Sequence, residues 1–181
     1  AQKPILIGRL QLQNASLLVN YLNTHYTIND EIIVEPDFIG FNLMKIVDSQ
    51  GQHAIATGTV FHENYSNFNL DIGLEFNDFL SLNTNSLDNE LYYGKAITSG
   101  IANISGFADQ LIFELDLIAE KGTDFKIPLE EGVDVSTSNF LVFTNSPNFD
   151  KENLEVVDLS GIQLNFDLRI DREAKVQIIF D

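Results

Sequence analysis

Polar and apolar residues alternate without a break from Phe68 to Phe76, "FNLDIGLEF". Phe68, Leu70, Ile72, Leu74 and Phe76 fall on one side; Asn69, Asp71, Gly73 and Glu75 fall on the other. Side chains of an extended chain alternate faces with period two, so the pattern predicts a strand with one apolar and one wet face. The same pattern returns in "IQLNFDLRI", where Ile162, Leu164, Phe166, Leu168 and Ile170 share a side. "LIFELDLIA" puts Leu111, Phe113, Leu115, Leu117 and Ala119 together, opposite the mixed set Ile112, Glu114, Asp116 and Ile118. Shorter strands are predicted at 6–12, 17–22, 32–35 and 41–46. Turns are marked by "NDE", "DSQGQ", "HENYSN", "SGFADQ", "EKGTD" and "NSPNFDKEN". The one stretch with helical spacing, "NDFLSLNTNSLDNEL", is rich in Asn, Ser and Thr and has no clear cap. The expectation is an all-β chain.

A weak repeat supports that expectation. The stretches starting at Ala54 and Ala96 each run from a small-residue strand through a turn into a long amphipathic strand. Stacked β units of this period build solenoid-like or elongated sheets. Ala54, Ala56 and Gly58 in one copy, and Gly94, Ala96, Gly100 and Ala102 in the other, give one strand face small side chains. Either the glycines mark bulges and close backbone approach, or the small face lets a strongly bent sheet close opposite bulky residues.

The fourteen large apolar residues of the three long strands decide what the fold must do. Burying each is worth about 1.5–3 kcal/mol, so together they represent some 20–40 kcal/mol. A domain is stable by only about 5–15 kcal/mol, so these faces must be covered. Periodicity alone favours a closed sandwich over a groove filled by a partner or lipid.

Charge narrows the partners. Ten basic and 27 acidic residues among 181 give a net charge of −17, which opposes binding to a phosphate backbone or an anionic membrane surface. The absence of cysteine removes disulfides, thiolate chemistry and sulfur-ligated zinc. No run of 18 apolar residues predicts a membrane helix. "AQKPILIGRL" lacks the apolar core and cleavage site of a signal peptide, and "VQIIFD" ends in strand-like sequence. The expectation is that residues 1–181 are a single β segment of a longer chain.

Candidate chemistry is sparse. "HENYS" begins like the zinc motif H-E-x-x-H, but Ser66 stands at the second histidine's place and the context is a strand end, so His62 reads as a turn histidine. His25 and His53 have no companion motif. "NSPNFDKENLE" offers Asn148, Asp150, Glu152 and Glu155 without the glycine of a calcium loop, and reads as a solvated acidic loop. Glu130 and Glu131 are adjacent, so on an extended chain they diverge and form no acid/base pair. Nucleophile-elbow, Walker and dinucleotide motifs are absent, and Asn14, Asn64 and Asn103 head three-residue sequons of low specificity. The expectation is a protein that is not an enzyme, with no catalytic residue, no metal and no cofactor.

Longer stretches carry a resemblance. "LNTNSLDNELYYGKAITSGIANISG" (Leu82–Gly106), "AEKGTDFKIPL" (Ala119–Leu129) and, upstream, "DSQGQHAIATGTVFHENYSNFNLDI" are similar to the C-terminal region of the TamB family of translocation and assembly proteins. The likeness runs from Phe38 to Asp181, and "VQIIFD" resembles the stretch before that family's last segment. The resemblance implies a long curved, mostly antiparallel sheet folded into a taco-like trough with an apolar interior. It also implies a periplasmic location, with the parent protein anchored in the inner membrane. The partners it implies are phospholipid acyl chains and, through C-terminal sequence beyond this chain, an outer-membrane β-barrel protein like TamA or BamA. On that reading the fourteen residues line a lipid groove: Phe68, Leu70, Ile72, Leu74, Phe76, Leu111, Phe113, Leu115, Leu117, Ile162, Leu164, Phe166, Leu168 and Ile170. Alternatives are a scaffold that offers sheet edges to barrel proteins by strand addition, and an ordinary acidic β-sandwich binding module.

Overall fold

Alternation becomes sheet along nearly the whole chain. The structure, a computed structural model, describes residues 5–88, 92–129 and 162–180. Twelve strands form one sheet: β1 (Gly8–Gln11), β2 (Ala15–Val19), β3 (Thr24–Ile28), β4 (Glu31–Val34), β5 (Phe38–Val47), β6 (His53–Glu63), β7 (Ser66–Thr84), β8 (Tyr93–Phe107), β9 (Gln110–Ala119), β10 (Asp124–Leu129), β11 (Ile162–Ile170) and β12 (Lys175–Phe180). Among the described residues the sheet is not closed into a barrel: it runs from β1 through β4, β5, β6, β7, β8 and β10 to β12. β3 carries β2 as a branch from β5, and β9 carries β11 as a branch from β8. Pairing is antiparallel except between β9 and β11 and between β10 and β12. Those two parallel pairs share one sequence offset, so the unit β9–turn–β10 is repeated, in register, by β11–turn–β12.

Several expectations are refined. The predicted strand at 68–76 is the first half of a 19-residue β7, and the stretch with helical spacing continues it as strand to Thr84 before a turn. The predicted strand at 17–22 ends at Val19 and gives way to a short 3-10 turn over Asn20–Leu22, closed by Asn23 in the left-handed region. β3 and β10 are strands that the pattern did not single out. The adjacent Glu130 and Glu131 and the acidic "NSPNFDKENLE" stretch lie outside the described residues.

Register shifts bend the layers. β5 is irregular between Phe41 and Met44, with Leu43 at φ 53°. β7 shifts between Phe76 and Phe79, with Asp78 at φ 49°. Opposite that second shift stands Gly100 at φ 133°, where a Cβ would collide with the Asp116 carbonyl oxygen. Only glycine accepts that conformation at such close backbone approach. The bend turns the far half of β7 back toward β3. There the Tyr26 and Phe79 rings stack at 4.9 Å, and the Tyr26 hydroxyl donates to the Leu80 carbonyl at 3.1 Å. Asp48, buried in the β5–β6 turn, accepts from the backbone N–H groups of Gln50 (2.8 Å), Gln52 (2.9 Å) and Leu80 (2.7 Å). One carboxylate therefore shapes the turn and ties it to β7. The resulting core gathers Tyr26, Ile28, Met44, Ile46, Ala54, Ala56 and Phe79.

Candidate functional site

Cross-strand partners in a sheet point to the same side, so register decides which side chains share a face. Ile46, Ala54, Phe76, Gly100, Leu117 and Leu168 stand in one row across β5, β6, β7, β8, β9 and β11. The next row is Met44, Ala56, Leu74, Ala102, Leu115 and Phe166. Then come Phe41, Gly58, Ile72, Ile104, Phe113 and Leu164, followed by Ile39, Val60, Leu70, Gly106, Leu111 and Ile162. Alternation carries Phe68, whose carbonyl accepts from Ala108 at 2.9 Å, and Ile170, paired with Ala119, onto the same face. The structure thus brings thirteen of the fourteen sequence-predicted residues to one side of one sheet; the side chain of Ile162 lies outside the description. β9 and β11 are direct neighbours, and β7 is one strand away across β8.

The small residues now have a place. β6 and β8 contribute mostly Ala and Gly to this face, while β5, β7 and β9 contribute large side chains. With strands about 4.8 Å apart, the bulky columns stand roughly 10 Å from one another, with a lower floor between them. The glycines also mark close backbone approach, as at Gly100, so both readings of the small stripe describe part of it.

Coverage is uneven along the face. Toward β5 and β6 the flap of β2 and β3 closes over it, and Ala54 is 1% exposed. Along β9 exposure alternates, with Phe113 half-buried and Glu114 exposed. On β11 the alternation of burial nearly vanishes: Leu164, Phe166 and Ile170 are exposed, Phe166 by 67%, and only Leu168 is half-buried. β12 continues this border with exposed Ile178 and Phe180. The opposite face is wet, with Asp71, Glu75, Glu114, Asp116 and Asp167 all exposed. An Arg169–Asp116 ion pair there ties β11 to β9.

His62 sits at the strand end leading into a turn, as expected, and the turn's Tyr65 N–H donates to its Nδ1 at 3.4 Å; its burial goes beyond that reading. It is the penultimate residue of β6, 4% exposed, with its ring stacked on Tyr65 at 4.7 Å and edge-on to Phe68. The sequence signal was available: His62 continues the inward series Ala54, Ala56, Gly58 and Val60. His25 is exposed and His53 half-buried. Among the described residues no three His, Asp or Glu side chains converge as a metal site would require, and no helix is long and apolar enough to cross a membrane.

A search of curated proteins and a search of solved structures each found no match. The family model of the TamB C-terminal domain matches residues 42–181, which takes in the face from β5 to β12. The chain therefore belongs to the TamB family of translocation and assembly modules.

Proposed function

We propose that the apolar face carries phospholipid acyl chains, and that this segment conducts lipid toward the outer membrane in the periplasm as part of a protein anchored in the inner membrane. Family membership gives the coarser role in outer-membrane assembly and implies a TamA-type partner. The observation that supports the lipid reading is the continuous apolar face, closed under β2 and β3 and, among the described residues, exposed along β11. Such a border costs free energy in water at about 25 cal/mol per Å² of apolar surface, and acyl chains relieve that cost without a specific headgroup contact. The transfer needs binding and release only, so the reading assigns no catalytic residue.

Photo-crosslinking in cells tests it. A crosslinker replacing Leu70, Phe113, Leu115 or Phe166 is expected to capture phospholipid, and one replacing Asp71, Glu114 or Asp167 is not. Phe113→Glu is expected to block lipid passage by burying an unpaired carboxylate among acyl chains, at several kcal/mol. Glu114→Lys changes a solvated face and is expected to leave passage intact. Equal capture from both faces, or none from either with the fold intact, defeats the reading.

Among the described residues β11 and β12 each pair on one side only, which favours a second reading, in which strands of barrel proteins add to this edge. Crosslinks from Phe166 to protein rather than lipid would select it.

A further inference from the structure

The inner series of β6 ends in a polar group with nothing to bind. His62 Nδ1 accepts from the Tyr65 backbone N–H at 3.4 Å. That leaves the ring proton of the neutral form on Nε2. Nε2 is buried and has no hydrogen-bond partner among the described residues. An unpaired buried donor is destabilising, so its retention calls for an explanation. The lid over it is strained as well. Asn64 (φ 54°) and Tyr65 (φ 62°) are the central residues of a two-residue hairpin between paired Glu63 and Ser66. Positive φ at both is the type I′ geometry, which favours Asn followed by Gly. Asn is present, but a tyrosine occupies the glycine position, and its ring lies on His62.

We propose that His62 is the polar anchor of the apolar face: with the Tyr65 ring moved aside, its Nε2–H donates to the ester carbonyl of an acyl amphiphile whose chain lies along β6 and β7. This rests on the acyl-chain reading of the face. Position supports it, because His62 stands beyond Gly58 and Val60 on that face and touches Phe68, so a chain on the face can bring its polar end to the ring. Charge selects the ligand oxygen. Glu63 is the next residue, the Asp37 carbonyl accepts from the His62 backbone N–H at 2.9 Å, and the chain carries a net charge of −17. An Nε2–H donor in that acidic surrounding suits an uncharged acceptor better than an anion.

Binding of monodecanoylglycerol and of its ether analogue, decylglycerol ether, to the whole chain tests the carbonyl directly, since the two differ only in that group. The wild type is expected to hold the ester about three- to ten-fold more tightly than the ether, the worth of one hydrogen bond. The His62 Nε2 resonance in a ¹⁵N spectrum is expected to move with the ester alone. His62→Phe is expected to equalise the two probes, and His62→Gln, which keeps a donor, to preserve part of the preference. Tyr65→Gly restores the favoured turn dipeptide, keeps the fold, and is expected to bind the ester faster. Equal binding of both probes by the wild type, or a preference that survives His62→Phe, overturns the anchor and leaves the acyl-chain reading standing. Failure of both probes to bind overturns the two together.

Discussion

The core around Tyr26 and Phe79 and the border along β11 belong to one face of one sheet, and water treats them in opposite ways. At the core, β2 and β3 fold across the bend of β7, and Met44, Ala54, Ala56 and Phe79 are buried. At the border, Leu164, Phe166 and Ile170 occupy the same rows of the register and stand exposed. The two strand patterns are equally clean, and β11 alternates better than β3. Apolar alternation therefore identifies a face that must be covered, while the cover itself is a property of whichever element folds across it. One end of this face is covered by β2 and β3; the other, among the described residues, is exposed.

Mutations should separate the two ends. Phe79→Ala removes a buried ring stacked on Tyr26 and is expected to cost about 3–5 kcal/mol in urea unfolding. A cost below about 1 kcal/mol would mean that the core is not closed in solution. Asp48→Ala leaves three backbone N–H groups without their acceptor, one of them the buried donor of Leu80. The expected loss is about 1–3 kcal/mol, with hydrogen exchange accelerated at Leu80 before other sites.

Ala56→Leu puts volume where the flap packs and is expected to cost about 1–3 kcal/mol by overpacking. A stabilising effect would show an unfilled space under the flap. Phe166→Ala at the border is expected to shift stability by no more than about 0.5 kcal/mol in the lipid-free protein. That substitution should nevertheless reduce lipid capture by neighbouring crosslinkers, so the border separates stability from binding.

Alkaline titration addresses the core by another route. Burial raises the Tyr26 hydroxyl pKa above its ordinary value of 10.0. The unfolded chain then releases this proton at lower pH than the folded one. Stability from this group is complete below pH 10 and is lost as pH rises through the folded value. Unfolding followed above pH 10 should show the fall in the wild type and a smaller one in Tyr26→Phe, which also gives up the hydrogen bond to Leu80. An equal fall in both would move the cause to other tyrosines.

Much of the fold could be read along the chain. β7, β9 and β11 follow from alternation because each is long and one-sided, and β11 spans the predicted residues. β8 is legible as a small-residue strand from Ala96 through its likeness to the stretch at Ala54, but its 15-residue length shows only once large residues from β7 and β9 stand on either side. β10 carries Pro128 and is too short for a pattern. β3 alternates Thr24, Tyr26 and Ile28 against His25 and Thr27, but polar threonines disguise its buried side. The described face residues follow from the same alternation, whereas the burial of His62 is disguised in the sequence by its place beside a turn and its likeness to a metal motif.

The sequence by itself determined which residues are extended and which side chains share a side of each strand. Those follow from backbone geometry between near neighbours, where two residues always return to the same face. It also determined the charge of the wet side and the family, through long ordered stretches. The tertiary structure decided the pairing of β9 with β11, in parallel, and the positions of the bends. It also decided that Tyr26 stacks on Phe79 and is buried while Phe166, beside Leu115, stays exposed. These depend on which distant segments meet, and a one-residue change of register would move every apolar side chain to the other face without altering a single local preference.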